Sequence, residues 1–170
     1  IIYMKSIVES YGTAGLQQAR RFKIYKNSTK VVVEQILKNV NSTNTEWSIW
    51  DITQAIIDHN GSQDYENIST YFPSDPAGIK VINNMGPKLV TTEVLDNINK
   101  FNYNGNNQKI GALLTEGWSC FVDEQESQTY SKVFEMNTSW DYPDQNTNFQ
   151  IYSGSSYIEQ EVLGPLTNIT

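Results

Sequence analysis

The sequence predicts an all-β protein with the architecture of an antiparallel β-sandwich. Its 170 residues form a succession of short apolar or alternating runs, separated by turns rich in Asn, Gly and Ser, which is typical of a sandwich. Ten Tyr, six Phe and four Trp give an aromatic content that suits strands better than helical bundles. Because 38 % of the residues are hydrophobic and no repeat or linker interrupts the chain, we expect a single domain over residues 1–170.

The first third of the chain predicts a hairpin and a long strand. Residues 22–27 (FKIYKN) and 28–40 (STKVVVEQILKNV) are two β runs joined at a Lys-Asn-Ser turn. Residues 46–57 (EWSIWDITQAII) form an apolar, β-branched run between Asn-rich and His-Asn-Gly sequence, which indicates a strand. The polar stretch from Gly61 to about Pro76 is predicted to be a loop.

The middle of the chain predicts four further strands and one short helical segment. The strands are expected at residues 78–82, 108–114, 117–124 and 128–136. Residues 89–101 (LVTTEVLDNINKF) are expected to form one or two helical turns, since their apolar positions partly follow a helical stripe. The Asn-Gly composition of residues 102–107 predicts a turn.

The C-terminal hairpin is the most informative segment of the sequence. Residues 148–152 (NFQIY) and 157–163 (YIEQEVL) are β runs joined by a Gly-Ser turn, and a Gly-Pro pair ends the second run. Successive side chains of a strand face opposite ways, so one face of the second run is expected to carry Tyr157, Glu159, Glu161 and Leu163. The two carboxylates on that face are expected to stand about 7 Å apart, beside an aromatic ring.

Composition argues against several classes of partner. A net charge of −7 leaves no basic stripe for phosphates, so a nucleic-acid partner is not expected. No apolar run is long enough to predict a membrane span. The first residues lack the basic start and long apolar stretch of a signal peptide. Because the chain starts at Ile rather than Met, we expect a processed protein or a piece of a longer one.

Cysteine and histidine chemistry is not favoured. Cys120 is the only cysteine, so no internal disulfide can form, and its apolar surroundings predict a buried, inert thiol. His59 is the only histidine and lies in a polar turn, which argues against a catalytic role. N-x-S/T sequons are glycan acceptors in a secreted eukaryotic protein and reflect only an Asn-rich genome in a bacterium. They occur at Asn27, Asn41, Asn60, Asn67, Asn137 and Asn168.

One segment matches the opening of a calcium loop but not its remainder. The pattern D-x-N-x-N begins at Asp144. However, Phe149 stands where the loop needs Gly, and Ser155 stands where it needs a bidentate Glu. We therefore interpret this segment as a turn, and the sequence predicts neither a metal nor another cofactor.

Residues 142–165 (YPDQNTNFQIYSGSSYIEQEVLGP) resemble a stretch that ends the β-sandwich in uncharacterised bacterial proteins related to the aldose 1-epimerases, the galactose mutarotase-like family. Further patches resemble that family in the same order: Gly12-Thr13-Ala14-Gly15 with Arg20 and Arg21, QILKNVNS, WSIWDITQ, Lys109-Ile110-Gly111 and Gly117-Trp118. The resemblance implies a mutarotase-like sandwich. Because domains of this family are longer than this chain, it also implies a fragment without the first and last strands, whose unpaired sheet edges invite self-association.

Epimerase activity is the chemistry that the resemblance implies. Aldose 1-epimerases open and close a sugar ring, with a base that takes the anomeric proton and an acid on the opposite side. Glu161 stands where the family has its basic Glu, and burial together with repulsion from Glu159 is expected to raise its pKa. The family's acid is a His. In the corresponding segment this sequence offers Trp50 and Asp51 instead.

The missing His favours a sandwich that holds a sugar without converting it. Sugar binding needs a flat apolar surface and neighbouring hydrogen-bonding groups. The aromatic candidates for stacking are Trp118, Trp50, Trp140 and Tyr157. Trp118 is preferred because it follows a glycine at a strand start. Charged side chains that would hydrogen-bond a hydroxyl or steady a developing oxyanion are Lys109, Glu161 and either Arg20 or Arg21.

Two classes of function stay open on the sequence alone. The first is a carbohydrate-binding or carbohydrate-processing domain, whose partner is a monosaccharide or glycan and whose Glu161 lines a concave pocket with an aromatic wall. The second is a non-enzymatic structural or assembly protein that keeps the sandwich but pairs its sheet edges with other copies. Both fit an extracellular or periplasmic location.

Overall fold

The computed structural model describes residues 1–9, 15–57, 65–83 and 91–169, and strands dominate it. The strands are β1 Ile2–Lys5, β2 Leu16–Ile24, β3 Val31–Asn39, β4 Thr45–Trp47, β5 Trp50–Ile56, β6 Ile68–Pro73, β7 Lys80–Asn83, β8 Thr91–Leu95, β9 Ile98–Asn102, β10 Gln108–Ala112, β11 Trp118–Asp123, β12 Gln128–Val133, β13 Phe149–Ser153, β14 Tyr157–Leu163 and β15 Thr167–Ile169. The paired strands are antiparallel, which confirms the predicted fold class.

The chain divides into two compact units. One comprises Ile1–Ile49 with Leu166–Thr170, and the other comprises Trp50–Pro165. The first is built on a three-stranded sheet in the order β1-β2-β3, to which β4 and β15 add a short pair. The predicted turn joins β2 to β3 and contains Asn27 at a positive φ of 57°, a conformation that Asn tolerates better than most residues. A single domain over residues 1–170 stays a prediction.

The second unit is a sandwich of two five-stranded sheets, β5-β14-β13-β10-β7 and β12-β11-β6-β9-β8. Apolar side chains from both sheets form its core, in which the rings of Phe72 and Phe149 lie 5.5 Å apart between centres. Because side chains alternate along each strand, every strand also presents a second set of side chains away from the core. We call this second face of β5-β14-β13-β10-β7 the outer face.

A line of buried polar side chains crosses the core. Ser119 Oγ on one sheet donates to Gln160 Oε1 on the other at 2.7 Å. The hydroxyls of Thr70 and Tyr103 lie 2.7 Å apart, and Gln160 Nε2 reaches Thr70 Oγ1 at 3.5 Å. Burial raises the pKa of Tyr103, so its phenol stays neutral. Since buried polar groups need partners, this line fixes β14 against the opposite sheet.

The strands predicted in the second half of the chain are confirmed, but three other predictions need correction. The stretch from Gly61 to Pro76 contains β6, which lies inside its sheet and is buried on both faces, so it lacks the alternation of a half-exposed strand. Residues 91–101 form the hairpin of β8 and β9 rather than helical turns, with Asn97 at a φ of 58° in a two-residue loop. The strand predicted at residues 46–57 is interrupted between β4 and β5.

Candidate functional site

β14 places its charged residues on the outer face. Ile158 and Gln160 face the core, and the four side chains predicted to share the other face do so, at residues 157, 159, 161 and 163. Glu161 is only 1 % exposed although it lies on this face, whereas Glu159 is half-buried. A carboxylate buried to this extent requires hydrogen-bonding partners.

Two donors hold the Glu161 carboxylate. Lys109 Nζ lies 2.7 Å from Glu161 Oε2, and Trp50 Nε1 donates to the same oxygen at 2.9 Å. The Lys109 ammonium also lies 5.0 Å from the centre of the Trp50 ring, which is a cation–π distance. The three side chains therefore form one contact group, which we call the Glu161 cluster.

Strand pairing brings the Glu161 cluster together from three strands. Trp50 on β5 pairs with Leu163, which is two residues from Glu161 on the same face of β14. Lys109 lies on β10, which is separated from β14 by β13, so its side chain reaches across one strand to the carboxylate. A lysine suits this position because its long stem can lie along apolar surface while the ammonium meets the charge.

Burial raises the pKa of Glu161, which is the direction that the sequence predicts. The hydrogen bond and charge of Lys109 act to lower this pKa, as does the indole N–H of Trp50, while repulsion from Glu159 adds a further upward contribution. Both donors stabilise the charged form of the carboxylate. Glu161 is therefore one half of a buried ion pair beside the Trp50 indole. Unlike a free base, its carboxylate is shielded from solvent and already accepts hydrogen bonds from Lys109 and Trp50.

β5 adds an exposed strip beside the Glu161 cluster. It is the edge strand of its sheet, and its outer face carries the exposed side chains of Trp50, Ile52, Gln54 and Ile56. Trp50 is 52 % exposed in spite of its two contacts. Gln54 Nε2 donates to Glu159 Oε1 at 3.2 Å. We call Trp50, Ile52, Gln54 and Glu159 the Trp50 platform, a surface that is apolar at one end and polar at the other.

Five of the predicted site residues lie on the outer face, whereas Trp118, Trp140 and the two candidate arginines do not belong to its strands. Those on the outer face are Glu161, Glu159, Trp50, Tyr157 and Lys109. Trp118 lies on β11 in the opposite sheet, where its indole N–H donates to Glu116 Oε2 at 3.1 Å. Arg20 lies on β2 in the first unit. Alternation within a strand does not indicate which sheet the strand joins, so the sequence offered no means of separating them.

Asp51, which the sequence resemblance suggests in place of an acidic His, faces the core side of β5. Its Oδ2 lies 2.8 Å from Lys132 Nζ on β12, the edge strand of the other sheet. Lys132 is 6 % exposed and also donates to the backbone oxygen of Gln160 at 2.9 Å. The ion pair joins the two sheets at this edge of the sandwich, and it places Asp51 on the opposite side of β5 from Glu161.

A turn beside the Glu161 cluster was not predicted as part of the site. Asp144, Gln145 and Asn146 all adopt positive φ, at 49°, 65° and 62°, in the turn that the sequence predicts for the D-x-N-x-N segment. This conformation costs a non-glycine residue roughly 1–2 kcal/mol. Asp144 Oδ2 accepts a hydrogen bond from Gln150 Nε2 at 3.0 Å, and Gln150 is the cross-strand neighbour of Glu161.

Gly111 allows this turn to approach the outer face closely. An added Cβ at Gly111 would lie 2.8 Å from Thr147 Cγ2, which is too near for any side chain without displacement. A glycine inside a strand often marks such a close approach, so the sequence contained a signal for this contact. Thr147 and Gln150 are fully buried here, and Thr147 Oγ1 lies 2.9 Å from Gln150 Nε2.

Cys120, His59 and the sequon asparagines are the other residues that the sequence singles out. Cys120 is half-buried rather than buried and forms no disulfide. His59 and Asn60 lie outside the described residues. Asn67 is half-buried, and the exposed sequon residues are Asn27, Asn41, Asn137 and Asn168. Within the described part of the chain, no group of three or more potential metal ligands occurs.

A separate cleft of about 200 Å³ opens between the edge strands β5 and β12. Phe121, Ile158 and Ala55 line it together with uncharged polar side chains, among them Gln54 and Tyr130. The hydroxyls of Thr53 and Tyr130 lie 3.3 Å apart across the two strands. The sequence predicts that Glu161 lines a concave pocket. Glu161 is not among the residues that line this cleft, so this cleft is not that pocket.

Comparison with known proteins identifies no relative: no family model, no curated protein and no solved structure matches this chain. The likeness to galactose mutarotase-like proteins stays a prediction from the sequence. The helical segments in the described ranges are Tyr65–Asn67, Pro76–Gly78 and Pro143–Asn146, and none of them is long and apolar enough to cross a membrane.

Proposed function

We propose that the protein binds a pyranose saccharide on the Trp50 platform and does not convert it chemically. The observation that carries this proposal is the state of Trp50: its ring is half exposed, yet its N–H is bonded to Glu161 and one face lies near the Lys109 ammonium. An exposed aromatic ring held in this way is preorganised, because its side-chain entropy is already lost before a ligand arrives. Such a ring suits the apolar C–H face of a sugar.

The remainder of the platform supplies matching polar groups. Gln54 and Glu159 lie further along the same face, four residues away from the Trp50–Leu163 pair, which corresponds to about 14 Å along a strand. Their amide and carboxylate are exposed or half-buried and can accept and donate hydrogen bonds to hydroxyls. A single pyranose on Trp50 spans part of this length, so a disaccharide or longer glycan would use both ends of the platform.

The geometry of Glu161 favours binding over conversion. A general base must reach the proton that it abstracts, at about 2.6–3.2 Å between heavy atoms. Glu161 is 1 % exposed, and one of its oxygens already accepts from both Lys109 and Trp50. Asp51, the acid that the sequence offers in place of the family's His, faces the other side of the strand and is paired with Lys132. The function that we assign to Glu161 is to position Trp50.

The cleft between β5 and β12 is a weaker candidate for a saccharide. Its volume of about 200 Å³ is smaller than the roughly 300–1,000 Å³ typical of small-molecule pockets. The Trp50 platform is an open surface rather than an enclosed cleft, so a volume does not limit the length of the saccharide that it can bind.

A saturation-transfer NMR experiment on a panel of freshly dissolved aldoses and short glycans tests this function. We expect transfer from the protein to sugar ring C–H protons, with no acceleration of anomer interconversion. The Glu161→Gln variant provides the control for chemistry. Faster interconversion that disappears in this variant would establish an epimerase, and absence of transfer to every saccharide would contradict binding.

A further inference from the structure

The first unit carries an apolar sheet face that saccharide binding does not use. Strand pairing places six apolar side chains on one face of β1-β2-β3: Ile2, Met4, Phe22, Ile24, Val31 and Val33. Ile2, Met4 and Ile24 are 52 %, 59 % and 61 % exposed, and Val31 and Val33 are 50 % and 44 % exposed. We call these six side chains the apolar face.

The opposite side of the same sheet mixes charged side chains with Tyr3, Ala19, Val32 and Ile36. It carries Lys5, Arg21, Lys23, Glu34 and Lys38, and Arg21 forms an ion pair with Glu34 across β2 and β3. A sheet with one polar and one apolar face normally buries the apolar one against another layer. The contrast therefore indicates which side of this sheet is suited to solvent and which side is suited to a partner.

The extent of the apolar face fits a protein interface. The exposed parts of its six side chains add up to on the order of 500 Å² of accessible surface. The largest apolar patch on a typical monomer measures about 300–600 Å², so this face lies near the upper end of that range. Two such faces in contact would bury about 1,000 Å², which reaches the lower bound for a specific interface. An area of this size predicts a weak to moderate dimer rather than an obligate one.

We propose that the apolar face is the interface of a homodimer, in which a second copy of this chain packs the same face against it. Beside these six side chains, the same side of the sheet carries one cation, Arg20, which pairs with Met4 and Gln35, and no acidic side chain among its described residues. A two-fold axis perpendicular to the strands at Phe22 places the two arginines about 14 Å apart along the strands. That separation keeps the two like charges out of contact, so two-fold pairing does not force one guanidinium against the other.

Two adjacent valines on β3 provide a matched test. Val33 lies on the apolar face and Val32 on the charged face, and their exposures are close, at 44 % and 39 %. Sedimentation equilibrium of the full chain over a range of concentrations measures the dimer Kd for the wild type, Val33→Lys and Val32→Lys. We expect a concentration-dependent dimer whose Kd rises at least about tenfold in Val33→Lys, because symmetry buries two unpaired ammonium groups, and less than about twofold in Val32→Lys.

Circular dichroism and thermal unfolding of both variants check that the fold is kept, which we expect because both side chains are exposed in the monomer. A wild type that stays monomeric up to about 1 mM would overturn the proposal. So would association that Val33→Lys leaves unchanged, since the contact would then use the sheet edges or another surface. Neither outcome depends on whether the Trp50 platform binds a saccharide.

Discussion

Replacing Lys109 by methionine is expected to destabilise the folded protein by about 3–5 kcal/mol at neutral pH, because it leaves a buried carboxylate without its cation. Glu161 is 1 % exposed and the Lys109 side chain is 16 % exposed, so solvent screens the lost attraction only weakly. Methionine keeps most of the apolar stem, which limits the packing change. Denaturant unfolding at constant ionic strength measures the effect.

The loss of stability in Lys109→Met is expected to shrink as the pH falls. Burial already holds the pKa of Glu161 above its ordinary value, and removing Lys109 takes away the main influence that lowers this pKa. A raised pKa in the folded state means that the stability contributed by this group is fully present below its unfolded pKa and is lost as the pH rises through the folded pKa. Comparing the variant with the wild type at each pH removes the effect of other carboxylates.

Two further variants separate the ion pair from a general effect of charge removal. Adding Glu161→Gln to Lys109→Met is expected to restore most of the lost stability at neutral pH, because no buried charge remains. Lys100→Met is the matched control, since Lys100 Nζ lies 5.8 Å from the ring centre of Tyr71 on the other sheet and is expected to contribute less than about 1 kcal/mol. If Lys109→Met also lost less than about 1 kcal/mol of stability, that result would contradict a buried ion pair.

Replacing Trp50 by alanine is expected to weaken saccharide binding by at least about 30-fold, as loss of an aromatic hot spot typically costs 2 kcal/mol or more. The substitution removes the stacking surface and also uncovers the Glu161–Lys109 pair. Trp50→Phe keeps an aromatic ring but has no N–H to donate, so we expect binding between that of the wild type and that of Trp50→Ala. NMR titration or calorimetry measures all three affinities.

Trp118→Ala provides the control for Trp50→Ala. Trp118 is a tryptophan of the same second unit, but it lies on the opposite sheet and is bonded to Glu116. Its removal is expected to change saccharide affinity by less than about twofold. Loss of binding in Trp118→Ala together with normal binding in Trp50→Ala would move the site to the opposite sheet, which carries the stacking residue that the sequence analysis preferred.

The composition of the site follows partly from the sequence. Period-two alternation in residues 157–163 predicts that Glu159 and Glu161 share a face with Tyr157, and the structure agrees because β14 is regular along its length. The meeting of Glu161 with Lys109 depends on β13 lying between β14 and β10. That order is a property of the whole sheet, and no local pattern encodes it.

Strand β6, which the sequence analysis interprets as a loop, shows why part of the fold could not be predicted from local sequence. Its residues are almost all buried because β6 lies between β11 and β9 and contributes to the core. Buried Ser69 and Thr70 make the segment resemble a polar loop when it is examined alone. Only the neighbouring strands, which bury these hydroxyls, make a strand favourable there.

The measurement that tests the central claim most directly is a saccharide titration followed through the indole N–H signals in a two-dimensional nitrogen–proton NMR spectrum. Each of the four tryptophans contributes one indole N–H signal, and Trp50→Phe identifies the one that is hydrogen-bonded to Glu161. We predict that this signal shifts with saccharide concentration while the Trp118 and Trp140 signals stay in place. A saccharide that binds without moving the Trp50 signal would contradict the platform as the binding site.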